Sequence, residues 1–129
     1  MKKRYTDKVA AEHETGHALA GLLLGGLNIS ANLRATHVEM GHLPDGDYAI
    51  VCAAGIAGRI LLHPTLHYNG LWLEEGASDL PKIMALFPNE RPFFEAATDL
   101  LSPHVELLKK LSRELQLAKT RTFSLKDLD

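Results

Sequence analysis

The chain has a single cysteine, Cys52, in 129 residues, so no intrachain disulfide can form. Its place inside an alanine-rich apolar stretch marks it as a small buried hydrophobe rather than a reactive thiol. Long hydrophobic runs are also absent. The longest uncharged apolar run, Ala18 to Leu27, is too short to span a bilayer. The basic start, Lys2-Lys3-Arg4, leads into no apolar core and so reads as a solvated end, not a signal peptide. Neither sign of charge predominates: 14 Lys and Arg against 16 Asp and Glu give a formal net charge of −2, which offers nothing to nucleic acid or to an anionic membrane. There is no repeat, no low-complexity tract, no linker and no Gly-x-x-x-x-Gly-Lys-Ser/Thr phosphate loop. What remains is globular composition, 46% hydrophobic and 23% charged. Residues 1–129 are accordingly expected to form one cytoplasmic domain.

Against that plain background stands His13-Glu14-Thr15-Gly16-His17, a His-Glu-x-x-His pattern of the kind zinc hydrolases carry on a helix. Histidines four apart sit about 40° apart around a helix, so both rings lean toward one point. Neutral imidazoles there can hold zinc at roughly 2.0–2.1 Å. Glu14 lies on the shoulder of the same face, where a carboxylate can take a proton from water activated at the metal without being a ligand. With seven histidines in the chain, the pattern arises in roughly 2–3% of shuffled sequences, so its surroundings decide its weight.

The first helix is expected from Thr6 or Asp7, either of which can cap it, to Gly25-Gly26. Val9, Ala10, His13, His17, Ala20 and Leu24 share one face, and Leu19, Leu22 and Leu23 make the last turns apolar nearly all round, as in a buried helix. Lys8, Glu12 and Thr15 mark its exposed stripe. Asn28 to Met40 has no helical period and suggests one or two short strands. Gly41 to Asp47 is a turn cluster. A second helix is expected from about Asp47 to Leu62, rich in small residues; its glycines cost helix propensity but permit close backbone approach, most simply to the first helix. His63 to Gly76 reads as a loop. Ser78 caps a third helix with Asp79 in its first turn and Pro81 just behind. Further helices run from Asn89 to Leu101 and from Ser102 to about Lys119, where Leu107, Leu108, Leu111, Leu115 and Ala118 recur at three and four. Ser124-x-x-Asp127 fits a capping box. The fold class is therefore mainly α with a small β element.

A catalytic zinc needs a third protein ligand and an open position. The downstream candidates are His37, His42, His63, His67, Glu74, Glu75, Asp79 and His104. His104 reads as a surface residue and His37 as structural. His63 and His67 are interrupted by Pro64 and cannot form a second helical pair. Glu74 and Glu75 sit in the loop, where acids are usually solvated. Asp79 opens a helix, which either anchors a ligand or simply places charge at a helix start; position alone leaves both readings open.

Three motifs in order carry a resemblance. Ala11 through Gly25 looks like the zinc-site helix of the FtsH-type AAA metalloproteases. Ala57-Gly58-Arg59 resembles that family's glycine-arginine helix. Gly76-Ala77-Ser78-Asp79-Leu80 resembles its Gly-Ala-Ser-Asn-Asp-Leu motif, and the ending from Leu107 to Leu128 is similar to its last helix and close. The resemblance implies a helical peptidase domain with Zn2+ held by His13, His17 and Asp79, the aspartate being the third ligand. The chain departs from the family in three ways. These residues include neither the ATPase nor a membrane segment, the Asn before the aspartate is missing, and Leu62 and His63 replace the paired acids after the arginine helix.

The reading that results is a zinc metallopeptidase-like domain with Glu14 as general base, acting on peptides or unfolded proteins without an ATPase of its own. A strand near Leu33–Met40 is a candidate for pairing with extended substrate. A catalytically silent metal-binding module and a subunit serving a separate ATPase partner are the alternatives, and self-association stays open.

Overall fold

The computed structural model describes residues 6–129, so the basic start at Lys2-Lys3-Arg4 lies outside the described part. The architecture is mainly α with a small β element. Helix α1 spans Asp7–Leu23. Thr6 caps it, its hydroxyl accepting the Val9 amide at 3.2 Å, and the chain leaves it at Gly25, whose φ of +86° suits a residue without Cβ. α1 is the hub. It packs on α2 (Asp45–Leu62), α5 (Arg91–Leu101), α6 (Val105–Ala118) and the sheet. That encirclement corrects the expected exposed stripe: Lys8 is exposed, but Glu12 and Thr15 are buried. A helix surrounded by other elements has no wet face, whatever its polar spacing suggests.

Helix α2 begins at Asp45, two residues before the expected start, and crosses α1 at very short range. A Cβ placed on Gly16 would come within 2.5 Å of the Ala54 carbonyl oxygen, and one on Gly58 within 3.4 Å of the Gly16 Cα. Ala54 lies in this seam, and Ala49, Ala53 and Ala57 of the same helix are also fully buried. The small residues therefore form the contact surface of the two longest helices.

Strands β1 (Ile29–Asn32) and β2 (His37–Glu39) form an antiparallel hairpin in the segment expected to hold strands. A third strand, β3 (Thr120–Phe123), was not legible; it pairs with β1 and gives the order β2-β1-β3, with Phe123 opposite Ile29. The expected loop at His63 to Gly76 contains a short helix, α3 (Tyr68–Glu74), with Leu71 and Trp72 buried. Asn69-Gly70 looks like a turn, but His67 caps the segment by accepting the Gly70 amide, and burial of Leu71 and Trp72 holds it helical. Helix α4 is only Leu80–Met84, with Asp79 at its N-cap rather than in its first turn. α6 buries Leu108, Leu111 and Leu115 as its spacing predicts, while Ala118 at its end is exposed. The Ser124–Asp127 capping box forms. Among the described residues no helix is long and apolar enough to cross a membrane.

The crossing makes a stability prediction. Gly16→Ala drives a methyl into backbone and should cost about 1–3 kcal/mol, as overpacking does. Gly46→Ala, where the new methyl meets nothing within 4 Å, should be neutral or slightly stabilising. Equal melting temperatures for the two variants would show that the helices do not meet at Gly16.

Candidate metal centre

His13 and His17 lie on the face of α1 pressed toward α2, with their ring centroids 4.7 Å apart in a T-shaped arrangement. Asp79 reaches both from the start of α4. Its Oδ2 is 2.9 Å from His13 Nε2 and 3.2 Å from His17 Nε2. All three residues are buried, and one ligand atom from each falls within 4.8 Å of the others. Zinc bonds of 2.0–2.1 Å in a tetrahedron space the ligand atoms by about 3.3 Å, so the measured separations suit a shared ion. The structure thus brings His13, His17 and Asp79 together through the Gly76-Ala77-Ser78-Asp79 turn. That turn closes through the Asp79 and Leu80 amides, which both donate to the Gly76 carbonyl.

The backbone fixes one ligand's tautomer. His17 Nδ1 lies 2.6 Å from the Val51 carbonyl oxygen, so Nδ1 carries a proton and Nε2, turned toward Asp79, is the nitrogen that could meet a metal. His13 lies flat over Gly55: a Cβ there would come within 2.6 Å of His13 Nε2. Gly55 is small because the His13 ring occupies its space. Cys52, on the same stretch of α2, has its thiol pushed up to about 11, first by burial and then by the Asp79 charge, so it stays protonated.

Around this cluster lies a second set of buried charges. Arg59 pairs with Glu12 and, through Nε at 3.0 Å, with Glu75. His63 Nε2 lies 2.9 Å from Glu12. Glu75, expected among solvated loop acids, has a side chain only 7% exposed and stands 3.6 Å from His13 Nδ1. The remaining candidates lie elsewhere. His37 is exposed on β2 rather than structural, His42 and His67 are exposed, and His104 is half-buried in a 3-10 turn. Glu14 is buried and shares a cavity of about 640 Å³ with His13, His17 and Asp79. Strand β2 and Met40 line the opposite wall. Because β2 is an edge strand, its outer backbone groups have no strand beside them among the described residues.

The donor set is chemically suited to a cation. Glu12, Glu14, Glu75 and Asp79 cluster with one guanidinium, Arg59, which meets Glu12 and Glu75, a formal charge of −3 when the histidines are neutral. Such an excess is costly away from water, and a divalent ion relieves two thirds of it. No protein-family model matches the chain, and no curated protein matches it. The reading of the site therefore rests on its own geometry.

Without an ion, the same excess protonates the ligands. Burial alone would lower the His13 pKa, but the carboxylates of Asp79 and Glu75 beside its two ring nitrogens, with the charges of Asp79 and Glu14, carry it up to about 9. Burial opposes and Asp79 again dominates at His17, whose pKa is also raised. A folded-state pKa above the unfolded value of 6.5 adds stability that is full below pH 6.5 and gone above about pH 9. The metal-free protein should therefore lose melting temperature as pH rises from 6.5 to about 9, and His13→Ala should flatten that slope. Thermal melts in chelator across this range test it. A flat wild-type profile would mean that His13 is neutral without metal.

Proposed function

We propose that the chain is a zinc-dependent metallopeptidase that hydrolyses peptide bonds in peptides or unfolded proteins. The observation that carries this reading is the convergence of three buried ligand atoms, from His13, His17 and Asp79, on one wall of a cavity that also holds Glu14. The resemblance of the three motifs to the FtsH-type peptidase domain supports the same assignment. His13, His17 and Asp79 would hold the ion, two imidazoles and one carboxylate leaving a position open. Bound zinc supplies Lewis acidity, which makes water acidic near neutral pH and polarises a carbonyl.

The rest is done by the chain. Glu14 takes the proton from the attacking water and later delivers it to the leaving amine, so one carboxylate serves first as base and then as acid. Its backbone is fixed in a helix buried on all sides, so the carboxylate is held near the ligands without joining them. An extended substrate fits the free edge of β2, where His37, Val38 and Glu39 line the cavity and backbone groups are open to a further strand. Edge pairing needs an extended chain, which favours peptides and unfolded segments. A separate ATPase that delivers unfolded chains is compatible with this chemistry.

Glu14→Gln keeps the shape and removes the base. It should leave zinc content near wild type while hydrolysis of an unstructured protein falls about 100-fold or more. His13→Ala should lose metal and activity together, and Asp79→Asn should weaken zinc without abolishing it, since the amide still offers an oxygen. Metal analysis beside a casein-type hydrolysis assay separates these cases. Stoichiometric zinc with no cleavage of any peptide or unfolded protein, alone or with ATPases, would leave a metal-stapled binding module as the better account.

A further inference from the structure

The two ligand imidazoles are finished differently on the side away from the ion. His17 has its Nδ1 against the Val51 carbonyl oxygen at 2.6 Å. His13 has its Nδ1 buried with no hydrogen-bond partner, while its Nε2 meets Asp79 at 2.9 Å. For Nε2 to ligate, the ring proton must sit on Nδ1, and that proton needs an acceptor. A Glu75 carboxylate oxygen stands 3.6 Å from it, about 0.8 Å beyond the usual length of a charge-assisted hydrogen bond.

Glu75 is not loose. Arg59 grips both its oxygens, Nε at 3.0 and 3.3 Å and Nη2 at 3.2 Å. Arg59 is itself tied to Glu12 on the turn of α1 that carries His13, and Glu12 holds His63. A planar guanidinium bound along one edge sets the plane of its carboxylate. At the end of α2, where the resemblance leads one to look for acids, stand Leu62 and His63; the acid facing a ligand ring comes instead from the segment just before Asp79.

We infer that Glu75, clamped by Arg59, is the positioning residue of this site: it accepts the Nδ1 proton of His13 and so fixes the ring with Nε2 toward the metal. The inference rests on the metal reading above. Glu75 has no contact with substrate in this role. It acts only through His13, raising the ring's basicity and restricting its rotation.

Glu75→Gln is the discriminating variant. Arg59 offers only donors, so the glutamine oxygen turns to Arg59 and its NH2 is left facing the Nδ1 proton, donor against donor. Zinc affinity of the full chain, measured by competition with a chromogenic chelator, should weaken about 10- to 100-fold. Glu75→Asp, which keeps an acceptor, should recover part of that loss. A purely structural role would lower the melting temperature of the metal-free protein and leave zinc affinity alone. A second measurement needs no variant. Zinc-loaded wild type should show a slowly exchanging Nδ1 proton on His13 with a nuclear Overhauser effect to the Glu75 γ protons. Wild type that binds no zinc would remove the metal reading and this inference with it. Wild type that binds zinc, with Glu75→Gln within twofold of it or with no such Overhauser contact, would overturn the role of Glu75 alone.

Discussion

The structure depends on how closely α1 and α2 cross. Gly16 lies against the backbone at Ala54, and Gly58 lies against Gly16. With side chains at those points the helices would stand further apart, and none of the interactions of the site would span the gap. Three positions of α2 spaced by four, Val51, Gly55 and Arg59, share one helical face. Each meets a different residue of α1. The Val51 carbonyl holds His17, Gly55 leaves room for the ring of His13, and Arg59 reaches Glu12. The seam that closes the core is also the seam that aligns His13 and His17.

Close packing brings an electrostatic cost, because it buries charge. Glu12, Glu14, Glu75 and Asp79 are drawn into one region with Arg59 as their buried cation. Arg59 answers Glu12 and Glu75, which leaves Asp79 and Glu14 without a guanidinium and beside the two histidines. The charge is thus sorted. Glu12 and Glu75 are compensated by Arg59, whereas Asp79 and Glu14 share the cavity with the two histidines and Lys82. Asp79 registers the difference: burial alone would raise its pKa, but His17 and His13 hold it well below the usual carboxylate range.

Much of this was legible in the sequence because it is periodic or local. The i, i+4 histidines, the Thr6 cap, the small-residue face of α2 and the Ser124–Asp127 box are short-range patterns that the structure reproduces. What was illegible depends on distant partners. Glu12 and Thr15 look exposed by helical spacing, but Arg59 and the surrounding helices bury them. Strand β3 has four residues and only Phe123 buried among them, so its identity comes from β1 beside it. Helix α3 hid behind Asn69-Gly70, since the burial of Trp72 that holds it could not be read from spacing. Glu75 was visible as a candidate acid, but nothing in its neighbourhood announced Arg59, sixteen residues earlier, as its partner.

The segment from Trp72 to Asp79 shows how a short stretch can serve both sides of one imidazole. A Cβ on Gly76 would come within 2.5 Å of the Trp72 ring, so the chain folds tightly back over a buried indole at that point. The Gly76 carbonyl then accepts the amides of Asp79 and Leu80, which turns the chain into α4. Glu75 and Asp79, on either side of that fold, arrive at opposite nitrogens of His13, 3.6 Å from Nδ1 and 2.9 Å from Nε2. Packing of Gly76 against Trp72 thereby sets the separation of the two carboxylates across the His13 ring. Asp79 forms no capping bond to its own helix, although it stands at the N-cap. Its carboxylate is turned to the histidines instead, so α4 begins without a side-chain cap while Asp79 completes the His13–His17 cluster.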